Sequence, residues 1–195
     1  MPVTYTNRKG VTYTLYRGLT ETGTSRYFFC RQTQGEPVAD LPPGFAIRES
    51  PNGVVSLVKA RPALLCPDEV AAVETVVRRH PQAAAYQVVA KPDRIEIYAR
   101  EAPDFRALER QLRALGMESM GLADALREEE ERQARYVPQL RFRLCDPAQR
   151  TFLAERMCSV GGIDDWLMLG DTGPASALAA DLVPTLGTDA FYDLW

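Results

Sequence analysis

Histidine is almost absent: His80 is the only one in 195 residues. Any Ser-His or Cys-His mechanism must use it, yet it follows Arg78 and Arg79 at an expected helix end. There a dipole partner is a better reading than a general base. The four cysteines, Cys30, Cys66, Cys145 and Cys158, form no Cys-x-x-Cys pair. The spacing of a zinc site is therefore missing, and four reduced thiols are expected. No apolar run approaches the ~20 residues of a membrane span. The opening MPVTYTNRKG lacks the apolar stretch of a secretory signal. P-loop, Gly-x-Gly-x-x-Gly and Gly-x-Ser-x-Gly patterns are all missing. These absences lead us to expect a cytoplasmic protein with no cofactor, no metal and no membrane partner.

What is present is an ordinary globular composition, 46% hydrophobic and 25% charged. The charge is unevenly spread. Residues 1–62 hold eight basic and four acidic side chains, a net of +4, and the remainder holds 15 and 22, a net of −7. Such a split fits two modules with different partners.

The first module reads as all-β. Val11, Tyr13 and Leu15 alternate with Thr12, Thr14 and Tyr16, the period of a half-buried strand. Short strands follow at RYFFCR (26–31), FAIRE (45–49) and VVSLVK (54–59), with SPNG as a hairpin turn. The expectation is a small four-stranded antiparallel β-meander over 1–60 and a linker over 61–67, stiffened by Pro62 and Pro67.

Residues 68–195 read as an α+β domain in the order α-β-β-α-α-β-β-α, an antiparallel sheet with helices on one face. Pro67, Asp68 and Glu69 open its first helix, Val70, Val73 and Val77 form the apolar stripe, and Pro81 follows the end. AYQVVA and RIEIYA flank KPDR as a strand pair. Pro103 and Ser119 open two further helices, the second running to about Tyr136 through the acidic Glu128–Glu131. QLRFRLC (139–145) and RTFLAERMC (150–158) form the second strand pair, and a helix runs through Val183. Arg141 and Arg143 share one face of their strand, and the nearby acidic helix is their expected partner.

Candidate binding residues concentrate at the start. Arg8, Lys9, Arg17, Arg26 and Arg31 offer cations, with Tyr16 or Phe28 as a stacking platform. Asp164 and Asp165, in GGIDDW, are the best candidates for acid–base or Mg²⁺ chemistry. Adjacent residues point apart, however, and an aspartate before WLML suits a helix N-cap.

The run YTNRKGVTYTLYRGLTETGTSRYFF, continued by LPPGFAIRESPNGVVSLVK, resembles the start of a set of uncharacterised bacterial proteins. The resemblance covers about the first 58 residues and implies that Asn7, Arg8 and Gly10 belong to a recurring module. It implies no activity, cofactor or site.

Together these readings point to a non-catalytic binding or adaptor protein, with Arg8, Lys9, Tyr16, Arg17 and Arg26 as contact residues for another protein. Two alternatives stand beside it: nucleic-acid binding through the same module, and a hydrolase or metal-dependent enzyme built on Asp164 and Asp165.

Overall fold

The computed structural model describes residues 1–101, 125, 128–129, 134–160 and 163–193. The helices expected from Pro103 and from Ser119 lie almost wholly outside these residues. The chain divides into two compact units, Met1–Pro62 and Ala63–Trp195. Both are built on antiparallel sheets, and strands outweigh helices.

In the first unit TYTNRKGVTYTLYRG forms a complete hairpin. β1 (Thr4–Thr6) pairs with β2 (Thr12–Leu19), placing Tyr5 opposite Tyr13. β3 (Ser25–Cys30) takes the other edge of β2, with Tyr16 opposite Phe28 and Leu15 opposite Phe29. The simple meander is not what forms. The two-residue β4 (Glu36–Pro37) returns to β2 on the edge that β1 occupies, opposite Tyr16 and Arg17. Gly35 permits the return: its φ is +98°, and a Cβ there would meet the Arg17 carbonyl oxygen at 2.7 Å. β5 (Phe45–Glu49) and β6 (Val55–Lys59) form a separate two-stranded hairpin around Ser50–Val54.

The second unit opens with α1 (Pro67–Arg79). Its first turn carries Asp68 and Glu69, its last Arg78 and Arg79, and His80 caps it, so charge opposes the dipole at each end. A five-stranded sheet follows in the order β11-β10-β9-β8-β7. Its strands are β7 (Tyr86–Lys91), β8 (Arg94–Glu101), β9 (Arg135–Asp146), β10 (Thr151–Val160) and β11 (Ile163–Gly173). Two short helices close the described chain, α2 (Ala175–Leu182) and α3 (Asp189–Tyr192).

Two differences from the sequence reading have clear causes. β9 begins at Arg135, so Arg135 and Tyr136 are strand and not helix end. Pro138 is accommodated because the β8–β9 register shifts beside it, at Ile97/Tyr98. Ile163–Gly173 is an edge strand, where an aspartate before WLML suggested a helix start. Apolar residues on both of its faces erase the period-two signal.

The core lies on one face of this sheet. Ile95, Ile97, Leu140, Phe142, Phe152 and Ala154 are fully buried there, in one cluster with Val73 and Val77 of α1 and Leu178 and Leu182 of α2. At about 25 cal/mol per Å² of apolar surface, this packing is the main force holding the unit together. No helix among the described residues is long and apolar enough to cross a membrane.

Candidate functional site

Asn7 and Arg8 build the tip of the first hairpin. The Asn7 side chain is buried; its Oδ1 accepts from the Lys9 and Val11 amides, and its Nδ2 donates to the Gly53 carbonyl at 2.6 Å. Arg8 Nε donates to Glu49 Oε1 at 2.9 Å, and its terminal nitrogen donates to the Ser50 carbonyl at 2.7 Å. Tyr5 donates to the other Glu49 oxygen at 3.1 Å. Burial pushes the Glu49 pKa up, but hydrogen bonds from Arg8 and Tyr5 more than offset this and hold it below the usual carboxylate range. The Asn7-Arg8-Lys9-Gly10 tip thus clasps the β1–β2 turn to the β5–β6 hairpin. Lys9 is exposed, and a Cβ on Gly53 would meet its stem at 3.5 Å.

The other three candidates sit further along β2 and on β3. Eight strand residues span about 26 Å at ~3.3 Å each, with the tip at one end and Arg17 and Arg26 at the other. Tyr16 is buried, its ring 6.3 Å from that of Phe28. Arg26 is exposed and holds its guanidinium 5.2 Å from the Phe28 ring centre. Arg17 lies on the opposite face of the sheet and donates to Ser25 Oγ at 3.3 Å. The structure therefore brings Tyr16 and Arg26 together through Phe28. It leaves Arg8 and Lys9 at the tip and Arg17 behind. Beside Arg26 an open groove of about 450 Å³ is lined by Leu19, Thr20, Glu21 and Thr22, and Leu19 is 73% exposed.

The second unit carries a charged network on the sheet face away from its core. Glu96, only 2% exposed, accepts from Lys91 at 2.7 Å, Arg94 at 2.7 Å and the Tyr98 hydroxyl at 2.6 Å. Burial alone raises the Glu96 pKa; the hydrogen bonds from Lys91, Tyr98 and Arg94 reverse the sign and leave it lowered. Burial and the bond to Glu96 push the Tyr98 phenol up. Glu155 accepts from Arg141 at 2.6 Å and Arg143 at 3.3 Å, and again these partners outweigh burial and lower its pKa. Arg141 also lies 4.1 Å from the Trp166 ring centre. Glu155 on β10 is thus a partner of both Arg141 and Arg143, placed by the register that sets it opposite Arg141; most of the acidic helix expected to meet them lies outside the described residues. Sequence reasoning missed both glutamates. Their signal was the alternation itself, which sets Glu96 between Ile95 and Ile97.

Asp164 and Asp165 lie in β11, opposite Ser159 and Cys158. Strand residues alternate, so the two carboxylates face opposite sides of the sheet. Neither caps a helix: Asp165 Oδ1 accepts from the next amide, Trp166 N, at 2.7 Å. His80 Nδ1 accepts from the Gln82 amide at 3.1 Å, and its ring packs edge-on against Tyr86 at 4.9 Å. Among the described residues no group of three or more His, Cys, Asp or Glu could hold a metal ion. Compared with known families, curated proteins and solved structures, the chain matches none.

Proposed function

We propose that the chain is a non-catalytic cytoplasmic binding or adaptor protein that meets another protein on the β2–β3 face of its first unit. The observation that carries this reading is the Arg26–Phe28 pair. A cation over an aromatic ring, opening on a groove that an exposed leucine also lines, offers an arginine anchor of the kind interface hot spots use. Arg8 and Tyr16 support the surface from within, one by fixing the hairpin tip and the other by packing under Phe28. Four unpaired cysteines support a reducing compartment. The core cluster supports the α+β reading of the second unit, because α1 and α2 contribute to the same cluster as one sheet face.

Nucleic-acid binding is the second reading, favoured by the same cation on a ring, which suits phosphate and base together. The enzyme reading draws less support, since Asp164 and Asp165 face apart. Capture from the native cell by the full chain, with and without nuclease, separates the first two readings. A partner that survives nuclease should bind the purified chain and lose roughly tenfold in affinity with Arg26→Glu. Equal binding by a folded Arg26→Glu protein contradicts the surface. Capture abolished by nuclease moves the assignment to nucleic acid.

A further inference from the structure

The second unit has a groove that neither reading uses. β7 is the last strand of its sheet and pairs only with β8 among the described residues. Among the described residues no strand pairs with its outer edge, and such an edge presents backbone donors and acceptors. Alongside that edge, against α1, lies an open groove of about 300 Å³. Val77, Ala83, Tyr86 and Val88 give it an apolar lining, and Glu74 and Arg78 stand at its side. Gln87 lines it as well, and its side-chain oxygen is a buried acceptor with no donor among the described residues.

The charge beside the groove points to the occupant. Arg78 has a 66% exposed side chain, and its ion pair with Glu74 is long, 3.5 Å. Arg79, also exposed, adds a second cation. We infer that an extended peptide of a partner protein adds as a strand to β7, with an apolar side chain over Val77, Tyr86 and Val88. An acidic side chain two positions away meets Arg78 and Arg79, since residues two apart share a strand face. Backbone pairing supplies affinity and the two side chains supply selectivity.

The test is a random peptide display library selected on the full-length chain. Enriched peptides are synthesised and titrated against wild type, Arg78→Glu, Ala83→Trp and Arg26→Glu. The expected outcome is enrichment of an acidic and an apolar residue two apart. Affinity should fall roughly tenfold in Arg78→Glu and Ala83→Trp and stay unchanged in Arg26→Glu. The peptide should also slow amide exchange at residues 86–90. Arg78→Glu is an exposed change that keeps the fold, so the test stands even if Ala83→Trp does not fold. No enrichment, or peptides that bind Arg78→Glu as tightly as wild type, overturns the proposal. Protection of 86–90 that rises with protein concentration alone overturns it too, in favour of a second copy of the chain.

Discussion

At the scale of single residues, buried carboxylates organise the second unit. Glu96 and Glu155 are almost fully buried, and each is held by at least two cations. Removing one leaves partly desolvated cations without that partner. Glu96→Ala should therefore lower stability by about 3 kcal/mol in urea unfolding; a loss near zero would show that solvent already compensates Lys91 and Arg94. The pH dependence has a definite sign. Both pKa values are lowered on folding, so the unfolded chain binds protons more readily. The stabilisation is complete above the ordinary carboxylate range, about 4.3, and is lost as pH falls through the lowered folded values. Thermal melts from about pH 6 to pH 3 should show a falling midpoint, and Glu96→Gln should flatten that fall. Little of this was legible in the sequence. Arg8 and Arg141 could be recognised as cations, but Glu49 lies 41 residues from Arg8, and only the docked hairpins bring the pair together.

At the scale of elements, turns decide what pairs. Asn7 holds the first hairpin tip with three hydrogen bonds and is buried. Asn7→Ala should cost about 2 kcal/mol of stability in the first unit, read by amide exchange in β1 and β6. Gly35→Ala should cost at least as much, because it adds a Cβ in a left-handed backbone 2.7 Å from a carbonyl oxygen. Exchange in β4 unchanged by Gly35→Ala would contradict that account. The legible elements were those with end signals. α1 was marked by Pro67, its acidic first turn and its basic last turn. β4 was invisible because two residues carry no periodicity. β11 was hidden because Leu167 and Leu169 alternate with Trp166 and Met168, apolar on both faces. The candidate site was legible as a list of cations but not as a surface, since strand parity puts Arg17 and Arg26 on opposite faces.

At the scale of the whole molecule, two compact units of opposite net charge meet in an exposed, Pro-containing segment. Residues 60–64 have neither strand nor helix and are exposed. Limited elastase digestion should cut there first and leave a C-terminal fragment that keeps its own cooperative melt; a first cut inside either sheet would argue against two separate units. The proposed function rests on the Arg26–Phe28 patch of the first unit, and the most direct measurement is made in the living cell. A photo-crosslinking amino acid is placed at Leu19, beside Arg26, and in parallel at Ser56 on β6 as a control. The account predicts a discrete protein adduct from position 19, absent from position 56 and lost when Arg26→Glu is added. No adduct from position 19, or one that nuclease digests, would contradict a protein partner on this surface.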